Sequence, residues 1–231
     1  MRRRQLASDA DSRRLLEKCM VDRVNQLSFT HLSLTDHAAS LESECKFVSN
    51  KLNKLMQYDS INDAFHIWYS GPFATINNLR LGTLPSCPIE WTEINAAFGQ
   101  AVLAVAVVAE NAKFKFQKFD LLPMGNFPKV FKISDRRTLY CLFSDGSFSL
   151  FPKKRFNLAV VGFLNCVEEL GVHVASQDPT LSLPYTVKPS EGLIGDQSVL
   201  LGADDELWTK SLKFLLADIK WIIAWSAKYC K

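Results

Sequence analysis

The chain has 231 residues, of which 48% are hydrophobic and 22% are charged, and its net charge is +3. This composition provides a substantial core and excludes disorder throughout, while the nearly balanced charge excludes a strongly basic nucleic-acid-binding protein. The N-terminus reads MRRRQLASDADSRR, without an apolar signal core, and the most apolar run, residues 101–109, is far shorter than the about 20 residues that a membrane span requires. We therefore expect neither a signal peptide nor a transmembrane segment.

A heptad pattern occupies residues 19–58, after a basic segment, residues 1–18, that we expect to be frayed. Apolar positions alternate at spacings of three and four without glycine or proline, which predicts a coiled coil. The predicted interface consists of Val24, Leu27, His31, Leu34, Ala38, Leu41, Cys45, Val48, Leu52 and Leu55.

The a layer of this predicted coil is undersized. It contains His31, Ala38 and Cys45, and each such layer loses about 1 kcal/mol or more relative to a full Leu or Ile layer. We therefore expect a weak homodimer that a partner with complementary layers displaces. The alternative is an amphipathic helix that folds back on its own globular domain.

Three units follow, each made of predicted strands and then a helix. The first has a strand at Phe65–Ser70, a turn at Gly71-Pro72 and a second extended run at Phe73–Leu81. Its helix is expected from about Glu90 to Glu110, and its nearly continuous apolar character predicts a central, buried position.

The second and third units repeat this order of elements. Short strands are predicted at residues 113–119, 130–133, 139–143 and 148–151, followed by a helix over about 153–172, and then at 183–187 and 198–201, followed by a helix from Asp204-Asp205 to about Tyr229. The repetition predicts an α+β fold in which three β–α repeats form one globular domain, residues 61–231, preceded by a coiled-coil helix.

Residues that could catalyse a reaction or bind a metal are scattered along the chain. The four histidines (31, 37, 66 and 173) lack metal-ligand spacing, and the six cysteines form no CxxC pair. P-loop, GxGxxG and GxSxG motifs are also missing from the sequence. We expect a non-enzymatic protein without cofactor or metal, and the cysteine usage favours a reducing, cytosolic setting.

The segment FSLFPKKR, residues 148–155, combines apolar side chains with cations. Phe148, Leu150 and Phe151 lie directly before Lys153 and Lys154, which suits an anionic membrane surface because apolar side chains enter the interface while each cation adds about 1 kcal/mol. The alternative, which the residues alone favour, is a strand-to-helix corner with the phenylalanines in the core and the cations in water.

A second segment interleaves Lys113, Lys115 and Lys118 with phenylalanines, as nucleic-acid-binding strands do. The RNP motifs of such proteins are missing, so a half-buried strand with its lysines in water is the preferred interpretation.

The most informative stretch runs from Phe65 to Gln100 and reads FHIW-SG-F-TINN-RLG-LPS-P-EW-EINAA-GQ at its distinctive positions. It resembles the start of the C-terminal domain of the beclin family of autophagy proteins. The resemblance continues through YC at 140–141, FLNCV at 163–167, LPY at 183–185 and WTKSLKF at 208–214, and covers the chain roughly from residue 52 to the end.

This resemblance implies three β–α repeats around a pseudo-threefold axis, and a metastable coil that exchanges self-pairing for other partners. It also implies an aromatic finger that inserts into bilayers, a Phe-Phe-Trp triplet that falls here on Leu150, Phe151 and Pro152. One aromatic residue remains, and proline replaces the residue best suited to the headgroup level, so we expect weakened insertion.

The resemblance further implies a non-catalytic scaffold or regulatory subunit of the class III phosphatidylinositol 3-kinase complex, which promotes autophagy and endosomal trafficking. The implied partners are subunits of that complex, a coiled-coil protein and an anionic membrane surface, and the implied location is cytoplasmic, peripheral to autophagosomal and endosomal membranes. A competing hypothesis is a generic coiled-coil adaptor that binds proteins and never lipid. A nucleic-acid-binding module is a remote third.

Overall fold

The computed structural model describes residues 2–57, 60–146, 150–179, 181–202 and 204–229, with side chains described throughout these ranges except at 2–8, 54–57, 60, 136, 150–152 and 229. The chain divides into two compact units, residues 1–58 and residues 59–231. The first is a single helix, and the second contains three small sheets, each followed by a long helix.

Helix α1 spans Arg2–Gln57, 56 residues, and constitutes the described part of the first unit. The backbone is already helical in the segment 2–18 that we expected to be frayed. The sequence explains this difference, because the first glycine is Gly71 and the first proline is Pro72, so nothing interrupts the helix before Gln57.

The first sheet is a three-stranded antiparallel meander rather than the predicted strand pair. It consists of β1 (Ile67–Ser70), β2 (Phe73–Ile76) and β3 (Leu79–Leu81), in that order, after a short helix α2 (Ser60–Ala64). The predicted extended run at 73–81 is split by Asn77 and Asn78, whose φ angles of 50° and 65° form a two-residue turn of the kind that matches the twist of a hairpin. Helix α3 (Trp91–Asn111) follows, as predicted.

The second sheet departs further from the predicted strands. It consists of β4 (Phe119–Leu122), β5 (Lys129–Lys132) and β6 (Asp135–Cys141), followed by helix α4 (Leu150–Gln177). The predicted strand at 113–119 is wrong, because only its last residue is in β4. The predicted strand at 148–151 is wrong at Leu150 and Phe151, which begin α4; Pro152 is compatible with this start because a first helical turn needs no donor there.

The third sheet is the smallest. It consists of β7 (Val187–Lys188), β8 (Leu193–Ile194) and β9 (Gln197–Ser198), with a 3₁₀ turn at Pro189–Glu191 and a final helix α5 (Asp205–Tyr229). Strands β7 and β9 overlap the ends of the predicted strands at 183–187 and 198–201, whereas β8 lies in the segment between them that was expected to be a loop. The helix begins at the predicted aspartates. The α+β class with three β–α repeats is confirmed.

The three long helices meet in a common core. An aromatic cluster joins them: Trp91 of α3 packs on Trp208 of α5, with ring centroids 6.0 Å apart, and on Phe156 of α4 at 5.8 Å. Phe98 lies about two helical turns beyond Trp91, and its ring contacts the ring of Phe156 with centroids 5.7 Å apart. The predicted central burial of α3 is confirmed, since Ile94, Phe98 and most of its alanines and valines are inaccessible to solvent.

Polar contacts fasten the first repeat to α3 and to α5. The Thr209 hydroxyl donates to the Thr83 carbonyl (2.6 Å) and accepts from the Thr83 N–H (3.1 Å). Gly82 beside it has φ +120°, and a Cβ there would lie 2.7 Å from the Thr209 Oγ1, so this close approach requires glycine. The Arg80 guanidinium binds both oxygens of Glu93 (2.8 and 2.7 Å).

Helix α3 and residues 153–177 of α4 are long and apolar enough, by length and composition, to cross a membrane. Core helices of water-soluble proteins meet the same criteria, and 61% of the apolar window in each helix is buried inside this protein. Their composition is therefore explained by their place in the core.

Candidate docking surfaces

The predicted coiled-coil interface lies along α1 as an exposed apolar stripe. Leu27, Leu34 and Leu41 are exposed, Leu34 by 70%, and Val24, Val48 and Leu52 are exposed as well. His31, Ala38 and Cys45, the undersized positions, follow the same stripe and are exposed too, whereas the side chain of Leu55 lies outside the described residues. Exposed leucines and valines in this number suit an interaction surface, and pairing with another helix stays a prediction.

The predicted membrane-binding segment, residues 148–155, lies only partly within the described residues. Phe148 lies outside them, and the side chains of Leu150 and Phe151 do too, although their backbones form the start of α4. Lys154 is exposed, while Lys153 is half-buried and its Nζ occupies the space where a Cβ of Gly202 would be. A cation in the first turn of a helix lowers the stability of the helix by about 0.3–1 kcal/mol through its interaction with the helix dipole. A stabilising effect on α4 therefore does not explain the presence of Lys153 and Lys154.

The lysine–phenylalanine segment 113–118 is an irregular connection. Phe114 and Phe116 are half-buried and Lys113 and Lys115 exposed, as the alternation predicted. Two N–H groups of the segment bind a side chain: the Glu169 carboxylate accepts from the N–H groups of residues 117 and 118, at 2.7 and 3.3 Å, while the Lys118 carbonyl accepts from the Ile133 N–H at 3.1 Å. A helix side chain therefore accepts two N–H hydrogen bonds that a strand would donate to a neighbouring strand.

Among the described residues, no group of three or more His, Cys, Asp or Glu side chains could hold a metal ion. One buried titratable group is notable: Asp218 of α5 is fully buried, and its Oδ1 accepts from the Tyr185 N–H at 3.0 Å. Burial raises its pKa from an ordinary 3.8 to about 7, against the smaller opposite effect of that hydrogen bond. Sequence reasoning missed this group, because it lies between apolar residues on a helix face.

A surface that sequence reasoning missed lies where β1 meets α5. Trp68 and Tyr69 are exposed by 58% and 54%, and the ammonium groups of Lys220 and Lys213 lie 4.9 and 5.4 Å from the centres of their rings. We call these four residues the aromatic–lysine patch. The available signal was the spacing of the two lysines, seven apart and therefore on one face of the last helix.

Comparison with known proteins decides the family. The family model described as the Apg6 BARA domain matches residues 55–228, three quarters of the chain. The chain belongs to the beclin family. Its beclin relatives include Beclin-1-like protein B of Dictyostelium discoideum, 43% identical over 190 residues, and Beclin-1 of Xenopus tropicalis, 38% identical over 202 residues.

The aligned region covers 80% and 84% of this chain but only 22% and 45% of those two relatives. Human Beclin-2 is 33% identical, with 85% of this chain and 47% of the relative covered. The chain thus spans less than half the length of these beclins. The family and its relatives make this an autophagy-related beclin protein.

Proposed function

We propose that this beclin is a non-catalytic scaffold and regulatory subunit of a class III phosphatidylinositol 3-kinase complex, and that it promotes autophagy and endosomal trafficking. It recruits a coiled-coil partner through α1 and docks peripherally on anionic autophagosomal and endosomal membranes from the cytoplasm. The observation that carries the proposal is the exposed leucine and valine stripe of α1 in a chain whose remaining residues match the beclin domain.

Partner exchange follows from the composition of the stripe. Leu27, Leu34 and Leu41, the leucines between the a positions of the heptads, supply apolar area, and about 25 cal/mol of binding free energy is gained for each Å² that a partner covers. The exposed His31, Ala38 and Cys45 leave gaps or a polar group in a self-paired coil. A partner helix with larger apolar residues opposite these positions therefore binds better than a second copy.

Membrane docking rests on the chemistry of residues 148–155. Lys154 is exposed and Lys153 lies beside it at the start of α4, and neither ammonium is within salt-bridge distance of a carboxylate in the described residues. Cations without acidic partners attract anionic lipid headgroups, and the neighbouring apolar residues provide insertion.

Liposome flotation of the purified chain tests this docking, using vesicles with and without phosphatidylserine. We expect the parent to float with anionic vesicles, and Phe151→Asp and Lys153→Glu/Lys154→Glu each to reduce flotation. Lys113→Glu/Lys115→Glu, which changes two exposed lysines elsewhere by the same charge, is the matched control. A folded parent that never floats would eliminate lipid docking and favour a coiled-coil adaptor that binds only proteins.

A further inference from the structure

The first sheet has a free edge at β1. In the described part of the chain β1 pairs with β2 alone, and the His66 carbonyl accepts from the Asn77 N–H at 2.8 Å at the start of the ladder. Because backbone groups alternate in direction along an antiparallel strand, those of Trp68 and Ser70 face β2. The N–H and C=O groups of Tyr69 consequently point away from the sheet, towards the free edge.

The side chains beside this edge are of the type that dominates binding energy in interfaces. Trp68 and Tyr69 have ring centroids 6.5 Å apart, and the imidazole of His66 stacks on the indole at 6.1 Å. Trp and Tyr bury large areas at a small cost in side-chain entropy, and both are enriched in binding hot spots. The two rings therefore form a ready contact surface along the edge.

The charge of the surface is positive and unneutralised. Neither Lys213 nor Lys220 lies within salt-bridge distance of a carboxylate in the described residues; each instead lies over an aromatic ring. A depression of about 490 Å³ continues from Lys213 to Lys210 and Phe214, with Glu206 as the acidic member of its lining. A ligand that follows the edge thus meets three lysines and one carboxylate.

We propose that the aromatic–lysine patch binds an acidic segment of a partner protein, which adds to the free edge of β1 as a fourth strand. Backbone hydrogen bonds to Tyr69 supply affinity in this mode of recognition, and the side chains beside the edge supply specificity. Carboxylates of the segment pair with Lys213 and Lys220, while its apolar residues cover the two rings.

Two other occupants fit the surface less well. A second copy of the chain would bring the same lysines together across the edge, and like charges in register are destabilising. A membrane would leave the outward N–H and C=O of Tyr69 without partners, because hydrocarbon offers none. An acidic peptide satisfies both the charge and the backbone groups.

The first test uses a fluorescein-labelled peptide in which Glu alternates with Val, and a matched peptide in which Lys replaces Glu. Fluorescence anisotropy with the whole chain should show binding of the acidic peptide only. Lys213→Glu/Lys220→Glu should weaken it about tenfold or more, whereas the control Lys113→Glu/Lys115→Glu should leave it unchanged. No binding of the acidic peptide up to about 1 mM, or equal effects of the two double variants, would overturn the proposal.

The second test isolates the backbone contact. Tyr69→Ala removes the ring, and Tyr69→Pro removes the ring and the outward N–H, which the pairing with β2 does not use. Proline should weaken peptide binding about two- to tenfold beyond alanine. Equal binding by the two variants would contradict strand addition.

Amide exchange of the unmodified chain is an independent check. The Tyr69 N–H should exchange rapidly alone and slowly with the acidic peptide, and unchanged exchange at saturation would also contradict strand addition. If Lys213→Glu/Lys220→Glu reduces flotation with phosphatidylserine vesicles but leaves peptide binding intact, the patch is a lipid surface and the proposal is wrong. These readouts do not involve residues 148–155, so failure here is distinct from failure of the proposed membrane docking.

Discussion

The substitution Asp218→Asn should remove a pH dependence of stability that results from the burial of this carboxyl in α5. The parent carboxyl is fully buried, with one oxygen bound to the Tyr185 N–H and the other, Oδ2, without a hydrogen-bond donor among the described residues. Its pKa is about 7 in the folded chain and near the ordinary 3.8 after unfolding. Between these values the folded state holds a proton that the unfolded state has released, so the free energy of unfolding falls as pH rises, and levels off above about 7.

Within this interval each pH unit lowers the free energy of unfolding by at most about 1.4 kcal/mol, so the largest total change is about 4 kcal/mol. Between about pH 5 and about pH 8 the contribution of this group should fall by about 2–3 kcal/mol. Asparagine keeps the acceptor for Tyr185 and cannot ionise, but it buries an unpaired amide at a cost of about 1–3 kcal/mol. The variant should therefore have the lower free energy of unfolding near about pH 5, and a free energy of unfolding equal to or higher than the parent's near about pH 8.

Urea denaturation of residues 59–231 within the whole chain, followed by tryptophan fluorescence at a series of pH values, measures the difference in unfolding free energy between parent and variant. Groups that titrate in both proteins cancel in that difference. The exposed Asp63→Asn is the matched control and should follow the parent at every pH. A parent–variant difference that stays constant from about pH 5 to about pH 8 would refute the raised pKa and the reasoning from burial.

Two further predictions concern α1 and α3. His31→Leu with Ala38→Leu should fill the a layer, strengthen self-association by about tenfold or more and weaken heteromeric capture, and sedimentation equilibrium without a shift in the dimer constant would count against the coiled coil. Gly99→Ala should destabilise the domain by about 2 kcal/mol, because a Cβ would collide with the Gly125 carbonyl, and should lower the melting temperature by about 4–8 °C. An unchanged melting temperature would show that the turn at Gly125 moves aside.

The helices of the domain were predictable because each carries a long, one-sided or all-round apolar pattern. Leu212, Leu215 and Ile219 follow the three- and four-residue spacing of one helix face, and all three are fully buried. Trp221 and Trp225 are four residues apart and share a face by spacing, but Trp225 is buried, whereas Trp221 is 46% exposed. Spacing identifies a face, and the edge of that face depends on which elements pack against it.

The strands were less predictable because most are two to four residues long, too short for a period to be established. Residues 113–117 show the limit: their side chains alternate between exposed and half-buried, as in a strand, yet the N–H groups of Gln117 and Lys118 bind the carboxylate of Glu169, far along the chain. The aromatic–lysine patch was unpredictable for the same reason, because its contacts join residues that are far apart in the sequence. Tyr69 and Lys213 come from opposite ends of the domain, and only the packing of the last helix brings them together.

The packing of α5 on the first sheet has a consequence for how the chain folds during synthesis. Strands β1–β3 leave the ribosome well before α5, the helix that packs on β2 and binds Thr83 through Thr209. At about 5–20 residues per second, the intervening chain takes roughly 7–30 s to appear. During that time the apolar face of the first sheet and its free edge are both exposed, so the nascent chain is open to aggregation until α5 has been synthesised.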